Sequence, residues 1–253
     1  MRDIASSAPD SSMKSRLVVA VFAASFALAA SATPADTLAD RLGTLPVTLP
    51  TPAGFAPAEG AAATMRDIIA RALPPNDRLI AVQVPRNYLA RQRAHEATGS
   101  LSRCVTVLTY RNYEASGMSP ALFDAVKKAM REQGDEVMKT AQAQLGGAVD
   151  KMNKDLANVT GDSTAALKVG AISSLGLVDE QPNSFVMATI GAVAVSSRKI
   201  NETNDQVAVV AVVLIHRKPI NANFYSDYGS KDDLDWAENQ AREWIRRVNE
   251  LNP

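Results

Sequence analysis

The stretch from Gln206 to Ile215, QVAVVAVVLI, carries apolar or small residues on both of its alternating faces and predicts the central strand of the fold. Such a pattern is typical of a strand covered on both sides. The stretch is about half as long as a membrane-spanning helix, and it ends at His216 and Pro219. It is therefore expected to lie in a soluble core.

Other apolar stretches predict a mainly antiparallel sheet around this strand. Ser184 to Val195 reads as a long strand in which Gly191 marks a candidate bulge. The polar segment 196–205 is too short for a crossover, so the two long strands are expected to form a hairpin. Further strands are predicted at Arg78–Val84, Leu101–Tyr110, Ala165–Ser173, Leu175–Asp179 and Asn221–Tyr225, and the proline-rich Leu45–Pro50 allows at best an edge strand.

Helical spacing marks two shorter helices. Met65 to Leu73 has the first, which the prolines that follow end. Ser230 caps the last helix, with Asp233 three residues further on as an acidic variant of the capping box. The apolar side chains of this last helix form one narrow stripe that is expected to dock on the sheet: Leu234, Ala237, Ala241, Trp244, Ile245 and Val248.

The longest predicted helix opens at Ser119-Pro120 and continues to about Leu156 with an apolar stripe close to the helical period. Glycine weakens a helix by about 1 kcal/mol relative to alanine, so Gly146-Gly147 predicts a bend or break. The favoured interpretation is a helix lying on the sheet. The alternative is a helix that packs on a partner or rests on a membrane surface.

The N-terminal region predicts export. From Met13 the chain has a basic start at Lys14 and Arg16, then an apolar run over 17–30, with small residues at Ala30 and Ala32. These are the parts of a secretory signal peptide, here residues 13–32, and residues 1–12 are expected to be a spurious extension from a mis-assigned start. The remaining chain, 33–253, is expected to be one periplasmic or secreted domain without a transmembrane anchor.

Composition narrows the classes of partner and chemistry. The chain has 27 basic and 27 acidic residues, whereas a nucleic-acid-binding protein needs a basic footprint. About 220 residues can bury a substantial core without disulfides, and Cys104 is the only cysteine. Its position in the strand-like segment SRCVTVLTY favours a buried, inert thiol over a nucleophile.

Catalytic and metal-binding signals are weak. The sequence holds two histidines, His95 and His216, and no Gly-x-Ser-x-Gly, His-Glu-x-x-His or phosphate-loop motif. An acidic cluster near the last helix lacks the spacing of a calcium loop, and its carboxylates are favourably placed for the helix dipole. The cluster comprises Asp227, Asp232, Asp233, Asp235 and Glu238. We therefore predict no catalytic residues, no metal and no cofactor.

Three segments in order resemble the PsbP-like family: LPVTLPTPAGF, RLIAVQV and the ending FYSDYGSKDDLDWAENQAREWIRRVN. The resemblance implies a single α+β domain in which helices flank an antiparallel sheet, an α/β/α sandwich. It also implies a non-catalytic accessory or binding protein. The long helix departs from a minimal member of that family.

The aromatic side chains near the last helix give the candidate binding site. Trp236 falls off the apolar stripe of that helix, and Tyr225 and Tyr228 precede it. If the three gather, they form an amphipathic patch of the kind enriched at interfaces. The alternative is that Trp236 covers the preceding loop.

Three hypotheses of function follow. The leading one is an exported, non-catalytic accessory or binding protein that meets a protein or small ligand of the cell envelope, through the aromatic ending or a groove between sheet and helix. The second is a hydrolase-type enzyme in which His95 or His216 forms a dyad in space. The third is envelope association through the long amphipathic helix.

Overall fold

The computed structural model describes residues 37–94, 96, 101–198 and 201–253. The predicted extension, the signal peptide and His95 lie outside these residues. The strands are β1 Thr37–Leu42, β2 Leu45–Pro50, β3 Phe55–Pro57, β4 Asp77–Pro85, β5 Arg103–Tyr110, β6 Ala166–Gln181, β7 Ser184–Ser196, β8 Asn201–Ile215 and β9 Lys218–Asp227. The helices are α1 Ala61–Ala72, α2 Arg86–Arg93, α3 Arg111–Ser116, α4 Pro120–Thr160 and α5 Lys231–Leu251.

Seven of the strands form one antiparallel sheet in the order β3-β4-β5-β9-β8-β7-β6, and β1 and β2 form a separate two-stranded sheet. The predicted hairpin is present as β7 and β8, which pair along their full length from Ser184↔Val213 to Ser196↔Asn201. The prediction of an α+β chain with an antiparallel sheet and flanking helices is confirmed.

Helix α5 covers one face of this sheet, which we call the outer face. Ser230 begins the helix as predicted, with both hydrogen bonds of a capping box to Asp233. Alternate residues of β8 point to this face, and Val207, Val209, Ala211 and Val213 are fully buried there. The α5 residues Ala237, Ala241, Trp244, Ile245 and Val248 belong to the same core.

The β1–β2 hairpin packs against the core between the outer face and α5, which we call the outer core, close to the C-terminus. Leu42, Val47 and Leu49 are buried in that core, and the indole Nε1 of Trp244 donates to the Pro50 carbonyl at 3.1 Å. The Asn252 side chain accepts from Thr48 N at 2.9 Å and donates to Thr48 O at 2.8 Å. The proline-rich segment predicted as at best an edge strand is thus β2, and hydrogen bonds from Asn252 hold it in place.

The opposite, inner face is covered unevenly. Helices α1 and α2 pack on β4 at one side, and α4 packs on β6 at the other. Helix α1 also reaches α4, where Arg71 Nε lies 2.7 Å from Asp155 Oδ2. The middle strands β5, β9 and β8 therefore lie beneath an arch made by α1 and α4.

Helix α4 follows the edge strand β6 and occupies its free backbone groups. The Asn153 amide accepts from Leu167 N at 2.7 Å and donates to Leu167 O at 3.0 Å. Further along, Gln142 donates to Gly170 O at 2.9 Å. These side chains satisfy an edge that would otherwise be open to another strand.

The predicted break of the long helix is in the wrong place. Helix α4 continues through Gly146 and Gly147, and its one residue with non-helical φ and ψ is Gln133. A Cβ built on the next residue, Gly134, would lie 3.2 Å from Ser174 Oγ of β6. The kink therefore coincides with the close approach of helix and strand, not with the glycine pair.

Strand β6 replaces the two short strands predicted at Ala165–Ser173 and Leu175–Asp179. Its register against β7 shifts three times, between Val169 and Ile172, between Ser174 and Gly176, and between Leu177 and Asp179. Each shift places an extra residue on β6, which is how bulges bend and twist a strand. Gly191 lies opposite the first shift, so the irregularity predicted there is on its partner strand.

Candidate functional site

The structure does not gather the three predicted aromatic side chains into one patch. Tyr225 pairs with Cys104 and Ala208 and points to the inner face, because its neighbour Phe224 belongs to the outer core. Trp236 is part of α5 and packs against the outer core. Tyr228 is 37% exposed beyond the end of β9. Their role in binding stays a prediction, and for Tyr225 it belongs to another surface.

Trp236 lies in a cluster whose contacts are structural. Its ring stacks on Phe55 with centroids 6.0 Å apart, and the Arg103 guanidinium lies 4.3 Å from its centroid. Arg103 also pairs with Asp233 at 3.0 Å. Burial alone would raise the pKa of Asp233, but hydrogen bonds from Gly229, Arg103 and Ser230 outweigh it and hold the pKa below its ordinary value.

A strip of polar side chains runs along the middle of the inner face. Asn223 Nδ2 donates to Thr106 Oγ1 at 3.0 Å, and these two residues are 9% and 5% exposed. Asn221 follows on the same face of β9, with its Nδ2 3.4 Å from the Tyr110 hydroxyl. The buried Asn221 Oδ1 has no hydrogen-bond partner among the described residues. Burying an amide oxygen without a partner is costly, so this atom is a candidate ligand acceptor.

The titratable groups of this strip are neutral at physiological pH. Burial, with a smaller contribution from Asp227, raises the pKa of the Cys104 thiol to about 12. Burial likewise raises the pKa of Tyr225 to about 12. The pKa of Tyr110 is raised to about 12 by burial and by the nearby Asp77 and Tyr113. The polar strip therefore offers hydrogen bonds without charge.

An apolar column on β8 runs beside the polar strip. Ala208, Val210, Val212 and Leu214 point to the inner face and are only partly buried, whereas their neighbours on the outer face are fully buried. Val210, Val212 and Leu214 pack against a buried cluster of Met118, Phe123, Phe185 and Met187, as do Met130 and Met138 of α4. The inner face of this strand is thus covered less completely than its outer face.

We call the part of the inner face that lies beneath the α1–α4 arch the inner groove. Its floor is the polar strip Cys104, Thr106, Tyr110, Asn221, Asn223 and Tyr225 together with the apolar column Ala208, Val210, Val212 and Leu214. A few placed polar groups beside an apolar surface are the usual lining of a small-molecule site.

The described residues give little support to nucleophilic or metal chemistry. A thiol whose pKa is raised to about 12 is the reverse of a reactive cysteine, which needs a lowered pKa. His216 is exposed in the β8–β9 turn, and within the described ranges we find no hydrogen bond or ion pair from it to a serine, cysteine or carboxylate. No group of three His, Cys, Asp or Glu side chains there is arranged to hold a metal ion. His95 is not among these residues, so the dyad hypothesis stays a prediction.

Sequence reasoning overlooked the inner groove, although its signal is present. In β9 the residues Ile220, Ala222 and Phe224 alternate with Asn221, Asn223 and Tyr225. This period of two predicts a polar face on a strand in the middle of a sheet. The segment was predicted as a short strand, and its polar face was not connected with the column on β8.

Comparison with known proteins leaves the family open. No family model matches the chain, and no curated protein matches it. Solved structures that match include the Ran-binding protein Mog1p of Saccharomyces cerevisiae, at 14% identity over 87% of this chain and 93% of that one, with a TM-score of 0.30. A point mutant of protein Mog1 matches at 15% identity over 86% and 93%, with a TM-score of 0.29.

The resemblance to the PsbP-like family is therefore corrected. The structural matches are Mog1 proteins and no family model supports the PsbP-like assignment. The segments on which it rested are short, and their order is set by strand and helix propensities that many α+β proteins share. TM-scores of this size carry no argument about function. Across the described residues, no helix is long and apolar enough to cross a membrane.

Proposed function

We propose that this chain is an exported, non-catalytic binding protein that holds a small amphipathic molecule in the inner groove. The observation that carries the proposal is the contrast between the two faces of β8. Val207, Val209 and Val213 are fully buried on the outer face, while Val210 and Val212 remain partly exposed on the inner face. Fully burying a valine side chain is worth about 1.5–3 kcal/mol, so a ligand that covers the part of these valines that is still exposed gains a fraction of that free energy.

The polar strip supports a binding role because it sets an orientation. Thr106 and Asn223 are buried and hydrogen-bonded to each other, so this part of the polar strip is held in place beside the apolar column. The unpartnered acceptor at Asn221 Oδ1 gives such a ligand one defined hydrogen bond. Burial of the apolar part of the ligand would supply affinity, and the polar strip would supply specificity.

Export is the second part of the proposal, and it is supported by the sequence alone. Lys14 and Arg16, the apolar run over 17–30 and the small residues Ala30 and Ala32 have the order of a signal peptide. We place the mature chain, beginning near residue 33, in the bacterial periplasm. Expression of the full chain followed by mass measurement of the periplasmic product tests this. Recovery of an uncleaved chain in the cytoplasm would refute it.

A fluorescent probe tests binding directly. N-phenyl-1-naphthylamine is uncharged, apolar, carries one N–H donor, and brightens in apolar surroundings. We expect saturable binding by the mature chain and its loss in Val210→Trp, because the larger ring fills the groove beside the polar strip. Leu175→Trp is the matched control, since Leu175 is 46% exposed on the edge strand β6.

The controls separate groove binding from surface adsorption. The control variant should bind the probe as the parent chain does, and both variants should unfold cooperatively. Equal binding by the parent chain and Val210→Trp would show that the probe lies elsewhere, and the groove would lose its assigned role.

A further inference from the structure

The inner groove carries few charged residues, which bears on the kind of ligand it accepts. Strand register places eighteen residues on the inner face over residues 104–110, 219–227, 206–214 and 185–191. None of the eighteen is lysine or arginine, and the one charged residue is Asp227. An anionic group in the groove would therefore find no cation on the floor.

Carboxylates stand at both ends of the polar strip. Asp77 pairs directly with Tyr110 at one end, and its charge contributes to the raised pKa of that phenol. Asp227 lies at the other end, near enough to Cys104 to raise the pKa of the thiol. Charges that interact through a partly buried site are screened much less than charges in water. Both ends thus oppose a second negative charge.

The centre of the strip favours a ligand that donates hydrogen bonds. Asn221 Oδ1 is buried and has no partner among the described residues, while the neighbouring amide of Asn223 is bonded to Thr106. An amide whose O and N were exchanged would instead leave its N–H₂ unpartnered. An amide-bearing ligand satisfies either orientation, since it both donates and accepts.

We propose that the groove selects uncharged molecules with an aliphatic chain and an amide or similar hydrogen-bonding head, and discriminates against the corresponding carboxylates. This rests on the proposed function, because it names the ligand class of the same site. In this arrangement the aliphatic chain of the ligand covers Val210 and Val212, and its polar head contacts Asn221. The carboxylates Asp77 and Asp227 repel an anionic head.

Displacement of N-phenyl-1-naphthylamine by matched twelve-carbon ligands tests the selection. We expect dodecanamide to displace the probe at a concentration at least tenfold lower than dodecanoate at pH 7.5. The double variant Asp77→Asn/Asp227→Asn should close most of this gap by improving dodecanoate and leaving dodecanamide unchanged. Asn221→Leu should weaken dodecanamide about fivefold to tenfold, the size expected for one hydrogen bond. Dodecyl methyl ether, which lacks a donor, should not respond to Asn221→Leu.

The possible outcomes distinguish the two proposals. If the probe does not bind at all, the proposed function fails, and the selection fails with it. If the probe binds but dodecanoate displaces it as well as dodecanamide does, the groove is a site and the ligand class is wrong. A persistent preference for dodecanamide in the double variant would also overturn the inference, because the two carboxylates would not be its cause.

Discussion

Val209 and Val210 permit one chemical change to be made on opposite faces of the same strand. Val209 is fully buried against α5 on the outer face, and Val210 is partly buried on the inner face. Replacing either by alanine removes two carbon atoms and lowers strand propensity equally. The difference between the two variants therefore measures how well each face is packed.

The expected magnitudes follow from burial. At Val209 the lost transfer free energy is about 0.8 kcal/mol per carbon, and with the cavity term Val209→Ala should lower the free energy of unfolding by about 2–3 kcal/mol. At Val210 the side chain is only partly buried, so its truncation removes less apolar surface from the core. Val210→Ala should therefore cost about 1 kcal/mol or less.

Urea unfolding of the mature chain, followed by fluorescence of the two tryptophans, gives both values. With a slope of about 2–3 kcal/mol per molar urea, the midpoint should fall by about 1 M for Val209→Ala and by less than about 0.5 M for Val210→Ala. The slope itself should not change. Equal losses at the two positions would show that the inner face is packed as tightly as the outer face, and the argument for a groove would be refuted.

Three further predictions concern titration and backbone geometry. The pKa values of Cys104, Tyr110 and Tyr225 are each raised to about 12, so the folded chain holds protons that the unfolded chain releases. The stability that these three groups contribute should be constant below about pH 8 and be lost between about pH 8 and 12, where the unfolded thiol and phenols ionise first. An equally steep fall in Tyr225→Phe would contradict this origin. Gly43 has φ +63, and a Cβ there would lie 2.7 Å from the Glu114 carbonyl oxygen, whereas Gly54 has φ +81 and open space around it. In thermal unfolding, Gly54→Ala should destabilise the protein by about 1 kcal/mol, and Gly43→Ala should destabilise it by clearly more. His216 and Arg217 form the β8–β9 turn with φ of 46 and 69. Because asparagine adopts positive φ more readily than histidine, His216→Asn should raise the free energy of unfolding by about 0.5 kcal/mol. A loss of stability would indicate an unrecognised contact of the imidazole.

The elements that could be predicted are those whose signals are local. Helix α5 was predicted with its cap because Ser230, Asp233 and the apolar stripe lie within that segment. The hairpin of β7 and β8 was predicted because both strands are apolar and their connection is short. Local chemistry was sufficient in these cases since no distant residue decides the outcome.

The kink of α4 depends on a distant contact and was misplaced for that reason. Gly146 and Gly147 suggested a break, yet a Cβ at either position would meet nothing within 4 Å. The deviation at Gln133 lies beside Gly134, whose approach to Ser174 is set by how α4 lies on β6. No pattern within the helix could indicate which strand residue it would meet.

The predicted grouping of the aromatic side chains is not found, for a different reason. Tyr225 and Trp236 were grouped because they are close in the sequence, but strand parity sends Tyr225 to the inner face while α5 carries Trp236 to the outer face. The parity of β9 could be read from the sequence. The arch made by α1 and α4, which meet at Arg71 and Asp155, could not, because it joins residues 84 positions apart.

The clamp of Asn252 on Thr48 joins points 204 residues apart and imposes an order on assembly. A chain delivered from its N-terminus presents the β1–β2 hairpin first, and Leu42, Val47 and Leu49 have no helix to cover them until α5 arrives. The outer core can therefore close only after nearly the whole chain has been delivered. A fragment that stops before α5 would leave these three apolar side chains exposed to solvent, where chaperones and proteases recognise incomplete chains.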